Sequence, residues 1–309
     1  MRTQKSAVNL WIVGSIGIDD IKTRTAGRKN LLGGSVPYST VAASFFTRTG
    51  AVGVVGSDFP VAFGRRWQAF GIDLSGVQRK EGDTFRWACE YDANMVERTT
   101  LKTELGVFAS FNPELPGAYR KAPFVLLGNI QPELQAHVLD QAEGVKFVAL
   151  DTMNFWIDIA KPALRKVIRR VDLLTVNDGE ARMLTGKWNL LDCAESILKM
   201  GPAYVVIKKG EHGALLFSRK GVFIVPAFPV RKLVDPTGAG DVYAGTFMGY
   251  LAQAGRVTEA RMRDALVHAS AMASFGVEGF SIERFEKMTA NEDIGRRVAE
   301  LKRMMAMKP

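Results

Sequence analysis

Short apolar runs alternate along most of this chain with longer stretches whose apolar residues recur at helical spacing. Strand–helix alternation of this kind predicts an α/β fold of three layers, α/β/α, in which helices cover both faces of a mostly parallel sheet. The strands are expected at 8–16, 51–55, 124–127, 147–150, 173–176, 204–207, 214–218 and 223–225. The helices are expected at 36–47, 61–70, 132–141, 157–170, 180–184, 191–200, 239–254, 259–275, 282–288 and 293–305.

The alternation is interrupted at 73–107. This segment has period-2 stretches and no good helical pattern, so it is expected to be β-rich. Together with a segment at about 19–33, it is predicted to form a small lid near the carboxyl ends of the parallel strands, where α/β folds bind their ligands. The whole chain, 1–309, is then one domain that carries this lid.

Composition and charge exclude several classes of protein. With 47% hydrophobic residues, the chain is neither disordered nor fibrous. Two cysteines and three widely spaced histidines cannot supply a disulfide framework or a four-ligand zinc site. Lys and Arg outnumber Asp and Glu by 41 to 32, but the basic residues are scattered, so no nucleic-acid partner is expected.

The first residues allow two interpretations. Arg2 and Lys5 precede a mainly apolar stretch, as in a signal peptide, but Asp19 and Asp20 close that stretch and no small-x-small cleavage site follows. No apolar run approaches the roughly 18 residues of a membrane span. The stretch is therefore expected to be a buried first strand of a cytoplasmic protein that has no membrane partner.

The segment most informative about chemistry is the glycine-rich turn at 235–241, Asp-Pro-Thr-Gly-Ala-Gly-Asp, which leads into an apolar helix. Where a helix begins, the N–H groups of Gly238, Ala239 and Gly240 would be free to bind an anion, and the helix dipole favours negative charge. Asp241 is placed there to take a proton from an attacking hydroxyl. The alternative is an ordinary helix N-terminus with a capping aspartate.

Four landmarks together resemble those of the ribokinase-like (PfkB) family of sugar and nucleoside kinases. In chain order they are Gly-Ser-Ile-Gly-Ile-Asp at 14–19 with Gly33-Gly34, Asn-Asp-Gly-Glu at 177–180, Lys-Lys-Gly-Glu-His-Gly at 208–213, and the turn at 235–241. They span nearly the whole chain. The resemblance implies the ribokinase-like fold and transfer of the γ-phosphate of ATP to an alcohol.

The resemblance also implies which residues act on the phosphate. Asp241 would be the catalytic base, and the amides of Gly238, Ala239 and Gly240 would hold the transferring group. Asn177 and Glu180, three apart at a helix start, would organise Mg²⁺ through water, although the pair taken alone is more typical of ordinary helix capping.

On the nucleotide side, the resemblance implies that the turn with Lys208, Gly210 and Gly213 borders ATP and that Gly240 also contacts it. The alternative for this turn is a plain β-hairpin. Some family members need a monovalent cation near the position of Asp235, so that site is a further expectation here.

On the acceptor side, the resemblance implies that Asp19 binds sugar hydroxyls and that Gly33 and Gly34 let the sugar approach the backbone. Asn129, at a strand end, and Asp241 complete the expected substrate residues. Family members are often dimers joined through the lid, which makes a homodimer through the β-rich segment an expectation as well.

Some positions depart from the family pattern. Pro236 replaces the usual Thr and removes one N–H donor. Tyr38 stands near a position where the family often has an Asn that contacts substrate. In the lid, Phe85, Arg86 and Trp87 could close over a sugar or base, or they could simply pack between strands. These departures leave the identity of the acceptor open.

The sequence therefore predicts an ATP-dependent kinase that phosphorylates a hydroxymethyl group of a small-molecule sugar or nucleoside. A regulator of the same fold that binds nucleotide or sugar but has lost catalysis is the alternative. The chain has no G-x-x-x-x-G-K-[ST] motif, which excludes a Walker-A kinase. It also lacks the G-x-G-x-x-G of a dinucleotide-binding fold in its first strand–helix unit.

Overall fold

The computed structural model describes residues 7–306, so Arg2 and Lys5 lie outside the described residues. A nine-stranded sheet forms the middle layer, and a separate sheet has four strands. Helices cover both faces of the larger sheet, which confirms the expected three-layer α/β/α fold.

The strands of the described residues, in chain order, are β1 (Leu10–Val13), β2 (Gly17–Lys22), β3 (Gly27–Gly33), β4 (Thr49–Gly56), β5 (Asp73–Lys80), β6 (Phe85–Tyr91), β7 (Arg98–Glu104), β8 (Phe124–Leu127), β9 (Phe147–Asp151), β10 (Leu173–Asn177), β11 (Tyr204–Lys208), β12 (Ala214–Ser218) and β13 (Gly221–Val225). The central order is β13-β12-β11-β10-β9-β8-β1-β4-β5. From β5 to β11 every neighbouring pair is parallel, whereas β12 runs antiparallel to both β11 and β13.

The helices of the described residues are α1 (Ser35–Ser44), α2 (Val61–Gln68), α3 (Pro132–Leu139), α4 (Asn154–Ile159), α5 (Lys161–Ile168), α6 (Asp178–Thr185), α7 (Leu190–Leu198), α8 (Ala239–Ala254), α9 (Glu259–Gly276) and α10 (Ala290–Met305). None of the helices within 7–306 is long and apolar enough to cross a membrane.

The two faces of β1 contribute to two different cores. Leu10 and Ile12 pack into a core shared with α1, α8 and α9, and Trp11 and Val13 pack into a core shared with α3, α5 and α7 on the other face. All four side chains are fully buried because both faces of a central parallel strand are covered. The carboxyl ends of β1, β8, β9, β10 and β11 consequently meet at one edge of the sheet.

The smaller sheet has the order β3-β2-β6-β7 and is the predicted lid, but its boundaries differ from those expected. Residues 73–80 were assigned to the lid, and that assignment was wrong because β5 pairs with β4 in the central sheet. A period-2 pattern identifies a strand without saying which sheet it joins. Helix α2 supplies the crossover that returns the chain parallel to β4. The lid consists of 17–33 and 85–104.

Two predicted helices are also corrected. The single helix expected at 157–170 is interrupted at Ala160, whose φ of −128° is not helical, and α5 restarts with Pro162 in its first turn. Proline is well tolerated there because its missing N–H would have no helical partner. The helix expected at 282–288 is only a 3₁₀ turn, Phe285–Lys287.

Candidate active site

Helix α8 begins in the glycine-rich turn, and Gly238 makes that start possible. Gly238 is the N-cap residue, with φ of +75° and ψ of 0°, in the left-handed region that glycine enters without strain. A Cβ at this position would lie 2.5 Å from the ring of Tyr38, which is buried. The turn therefore requires glycine both for its backbone angle and for its close approach to Tyr38.

The backbone amides that are free in the glycine-rich turn are not the three that the sequence predicted, those of Gly238, Ala239 and Gly240. The N–H of Ala239 donates to the carbonyl of Pro236 over 3.2 Å, which closes a β-turn with Gly238 at its third position. The prediction of a free Ala239 amide was therefore wrong. Within the part of the chain that the structure describes, the N–H groups of Gly238, Gly240 and Asp241 have no acceptor, and these three remain available to an anion.

Asp241 lies in the first turn of α8, beside those amides, and is half-buried. Its carboxylate accepts no hydrogen bond from residues 7–306. Burial, and then the charge of Asp151, raise the pKa of Asp241 to about 7, although Lys208 opposes the shift. A carboxyl with a pKa near 7 can take up and release a proton at neutral pH, which suits a general base.

Asn177 and Glu180 form a capping box at the start of α6. The Glu180 amide donates to Asn177 Oδ1 over 2.7 Å, and the Asn177 amide donates to Glu180 Oε2 over 2.8 Å. Burial raises the pKa of Glu180 to about 7, while the charge of Lys208 lowers it. The structure therefore confirms that the pair caps α6. The capping hydrogen bonds leave Glu180 Oε1 without a partner among the described residues.

A magnesium ion fits this arrangement only through water and substrate phosphates. The described residues contain no group of three or more His, Cys, Asp or Glu that could hold a metal ion by itself. Glu180 Oε1 is an oxygen acceptor of the kind Mg²⁺ prefers, but Asn177 Oδ1 is occupied by the cap. Of the predicted pair, Glu180 is thus the better candidate for contact with the hydration shell of Mg²⁺.

Lys208, at the end of β11, is held near Glu180 and Asp241 by an ion pair with a carboxylate that the sequence analysis did not single out. Its Nζ lies 3.0 Å from Oδ1 of Asp151, at the end of β9. Thr175 Oγ1 donates to the same Oδ1 over 2.6 Å. An acidic residue directly after a buried strand was the available signal, because parallel strands bring their carboxyl ends together.

The predicted acceptor residues Asp19, Gly33 and Gly34 come together where the lid meets the central sheet. A Cβ on Gly33 would lie 1.9 Å from the Asp19 carboxylate, so glycine is what lets the chain pass this close to it. Burial, together with the charges of Asp235 and Asp241, raises the pKa of Asp19 to about 8, although the backbone of Gly34 opposes the shift. Asp19 Oδ1 has no partner among the described residues, so it is available to a ligand hydroxyl.

Two more buried polar atoms face the same region. The Tyr38 hydroxyl and Asp235 Oδ2 have no hydrogen-bond partner within 7–306. Burial, followed by the charges of Asp235 and Asp19, raises the pKa of Tyr38 well above its ordinary value. Since buried polar atoms are nearly always paired, these atoms and Asp19 Oδ1 mark a place built for a polar ligand.

Asn129 lies just beyond β8, but its side chain is already engaged. Its Oδ1 accepts from Trp156 Nε1 over 2.8 Å, and its Nδ2 lies 3.1 Å from Met153 Sδ. The structure thus brings Asn129 to the correct edge of the sheet without leaving its amide free.

Gly210 and Gly213 lie in the connection between β11 and β12. The Lys209 amide donates to the Gly213 carbonyl over 2.8 Å, and Gly213 has φ of +91° with the carbonyl of Val225 too close for a Cβ. Gly210, at φ of +54°, borders open space. The hairpin geometry is therefore present, and its contact with nucleotide remains a prediction.

The lid is attached to the glycine-rich turn by a residue that the sequence analysis missed. Tyr91 Oη lies 3.0 Å from Oγ1 of Thr237. Arg98 lies opposite Tyr91 in the β6–β7 pair, on the same face, and its guanidinium is 5.5 Å from the centre of the Trp87 ring. Periodicity cannot reveal such a contact because Tyr91 and Thr237 are far apart in sequence.

Of the three lid residues that could close over a sugar or base, Trp87 packs against the apolar cluster of the lid that contains Tyr91. Arg86 forms an ion pair with Asp58 at 2.9 Å, and Phe85 packs on Phe108 with ring centres 5.4 Å apart. Both therefore serve the junction between the lid and the central sheet.

Fold and site together define a phosphotransferase: an amide-lined helix start, a carboxylate beside it and a second buried carboxylate under a lid. Residues 20–282 match the profile of the family described as pfkB family carbohydrate kinase. A cytidine kinase from Thermococcus kodakarensis is 30% identical over 254 residues, which cover 79% of this chain and 88% of the relative. The chain belongs to the pfkB family and is an enzyme of the sugar and nucleoside kinase class.

Two solved structures share the fold. A nucleoside kinase from Burkholderia thailandensis in complex with inosine superposes with a TM-score of 0.79 at 20% identity, over 94% of this chain and 97% of that one. An E. coli protein in complex with ATP and Mg²⁺ gives a TM-score of 0.78 at 18% identity, over 95% and 99% of the two chains. The ribokinase-like fold therefore extends over nearly all of this chain.

Proposed function

We propose that this enzyme transfers the γ-phosphate of ATP to the 5′-hydroxymethyl group of a nucleoside. The observation that carries the proposal is Asp241, a carboxyl with a pKa of about 7 beside three unpaired amides at the start of α8. The cytidine kinase relative and the inosine complex support a nucleoside as the acceptor, and the complex with ATP and Mg²⁺ supports ATP as the donor.

Each of the site residues has a separate role in the proposed reaction. Asp19 accepts hydrogen bonds from acceptor hydroxyls, and Asp241 takes the proton of the attacking hydroxyl as its oxygen bonds to the γ-phosphorus. The bond from that phosphorus to the bridging oxygen breaks, and ADP leaves. The amides of Gly238, Gly240 and Asp241 stabilise the charge on the transferring group. Mg²⁺, when bound near Glu180, neutralises phosphate charge.

The buried Asp235 Oδ2 supports a monovalent-cation site as part of this proposal. Asp235 keeps one oxygen on the Thr237 amide at 2.9 Å and has its other oxygen unpaired within the described residues. A cation bound there would screen a carboxylate that burial alone makes costly to ionise.

The proposal is tested by measuring ADP release from Mg-ATP with a panel of nucleosides that includes cytidine and inosine, and of free pentoses and hexoses. Each active nucleoside is matched with its 5′-deoxy analogue, which lacks the hydroxyl to be phosphorylated. We expect nucleoside-dependent ADP release, a 5′-monophosphate identified by mass spectrometry, and no reaction of the 5′-deoxy analogues.

Two results would contradict this. Faster turnover of a free sugar than of every nucleoside would move the acceptor to the sugar class. Tight binding of ATP and nucleoside with no phosphotransfer would favour the inactive regulator.

A further inference from the structure

Lys208 is a buried cation whose position is set by the ends of two neighbouring strands. Its side chain is 15% exposed and that of its partner Asp151 is 9% exposed, with 3.0 Å between Nζ and Oδ1. Thr175, on the strand between them, donates to the same carboxylate oxygen and holds it in place. The ammonium is therefore fixed by a three-strand network of β9, β10 and β11.

This network places the ammonium beside the start of α8. A Cβ on Gly240 would lie 3.2 Å from Lys208 Nζ, and among the described residues outside its own helix Lys208 is the one within 4 Å of that position. The Lys208 ammonium therefore lies against the backbone of Gly240, whose N–H is unpaired within the described residues.

Lys208 has hydrogen-bonding capacity that the protein does not use. An ammonium has three N–H donors, and Nζ makes one hydrogen bond within residues 7–306, to Asp151. Burial lowers the pKa of Lys208, but the charges of Asp151 and Glu180 outweigh it, so the pKa is raised and the group stays protonated. The remaining donors need an acceptor, and phosphate oxygens are strong ones.

We propose that Lys208 is a catalytic residue that binds the transferring phosphoryl group, and that Asp151 is a positioning residue that holds the ammonium next to the Gly240 amide. This inference rests on the proposed function. Lys208 keeps its proton throughout: the proton of the attacking hydroxyl goes to Asp241, and the electron pair of the broken P–O bond leaves with ADP. The lysine acts only through charge and hydrogen bonds, which strengthen as the phosphoryl group moves toward the acceptor.

The test compares Lys208→Met and Asp151→Asn with Lys220→Met, which removes an exposed lysine in the turn between β12 and β13. Removing one preorganised donor to a transition state lowers kcat by about 10²–10³-fold. We expect a loss of that size in Lys208→Met with the acceptor KM changed less than about threefold, a smaller loss in Asp151→Asn, and none in Lys220→Met.

Two further readouts separate this role from a structural one. Lys208→Met is expected to weaken binding of ADP with aluminium fluoride, a mimic of the transferring group, at least about tenfold more than binding of ADP alone. Because Lys208 opposes the raised pKa of Asp241, its loss should move the acidic limb of kcat/KM to higher pH, whereas Asp151→Asn should move it to lower pH.

The inference is overturned if the wild type phosphorylates a nucleoside while folded Lys208→Met keeps kcat within about threefold, or loses equal affinity for ADP with and without aluminium fluoride. If Lys208→Met does not fold, Lys208→Gln carries the same expectations. A wild type that phosphorylates nothing would instead contradict the proposed function itself.

Discussion

At the scale of single residues, the site is a group of carboxyls kept partly protonated by burial. Burial raises the pKa of Asp19 to about 8 and that of Asp241 and Glu180 to about 7. The charges of Lys208 and, to a smaller extent, Arg98 lower the pKa of the last two. A carboxyl with a pKa near 7 is deprotonated in a large fraction of molecules at neutral pH, and in that form it can accept the proton that the reaction releases.

Asp241→Asn removes the proposed base and leaves the shape of the site. We expect kcat to fall by about 10²–10⁴-fold, the usual contribution of a general base. Steady-state kinetics with Mg-ATP and the best nucleoside would measure this, and ADP binding by calorimetry would show that the site is intact. Near-normal turnover in a folded Asp241→Asn protein is incompatible with the role given to this carboxylate.

At the scale of elements, the start of α8 joins three parts of the molecule. Gly238 packs on the ring of Tyr38 from α1, Gly240 faces Lys208 from β11, and Thr237 contacts Tyr91 from the lid. The helix start is therefore shaped by side chains from elements that are remote in sequence, and its left-handed N-cap is the residue with the least freedom to change.

Gly238→Ala and Gly255→Ala form a matched pair at the two ends of α8. Both glycines have left-handed φ, +75° and +66°, so each substitution costs about 1–2 kcal/mol of backbone strain. A Cβ at Gly255 meets nothing, whereas one at Gly238 would lie 2.5 Å from Tyr38. We expect Gly238→Ala to lower the free energy of unfolding more, and to lower kcat, while Gly255→Ala keeps kcat.

Urea unfolding and steady-state kinetics on the two proteins decide this prediction. Equal losses of stability together with equal kcat values would mean that the contact with Tyr38 does not constrain the turn.

At the scale of the whole molecule, the lid ends in an exposed edge strand. All seven residues of β7 are exposed, and Leu101 is 59% exposed. Unprotected edge strands invite pairing with a second chain. We therefore predict a homodimer through the lid, which light scattering coupled to size-exclusion chromatography would detect.

Leu101→Lys puts a charge on that edge and should shift the protein to the monomer. Val222→Lys, at another exposed apolar position on the distant strand β13, serves as the control and should remain dimeric. A monomeric wild type at all concentrations would refute a lid-mediated dimer.

The dependence of stability on pH is also a property of the whole molecule, because several site carboxyls titrate together. A carboxyl whose pKa is higher in the folded than in the unfolded chain binds protons preferentially in the folded state. Stability contributed by Asp19, Glu180 and Asp241 is therefore present at about pH 4 and is lost as pH rises toward 8. His268, whose pKa burial lowers, acts in the opposite direction but is a single group.

We accordingly expect the Tm of the ligand-free protein to fall between about pH 5 and pH 8, measured by circular dichroism. Asp19→Asn should flatten this decline, because it removes the carboxyl with the most strongly raised pKa in the site. Asp158→Asn, at an exposed position on α4, should leave the slope unchanged. Identical slopes in all three proteins would show that these carboxyls do not control stability in this range.

The sequence by itself determined the α/β alternation and the existence of the lid. It also identified the residues whose proposed roles are indicated by the residues next to them in the sequence. The spacing of apolar residues that marks a strand or a helix lies within that one element, so a short stretch of sequence is enough to detect it. The glycine-rich turn with Asp241, and the capping pair Asn177 and Glu180, are local in the same sense, and both were found without the tertiary structure.

Only the tertiary structure decided which amides remain free, which sheet β5 joins, and that Asp151 and Tyr91 belong to the site. Each of these depends on partners distant in the chain or on the angles of one turn. Asp151 meets Lys208 because β9, β10 and β11 end at the same edge of a parallel sheet. A carboxylate at the end of a strand has no local signature of its partner, since that partner is supplied by strand order rather than by neighbouring residues.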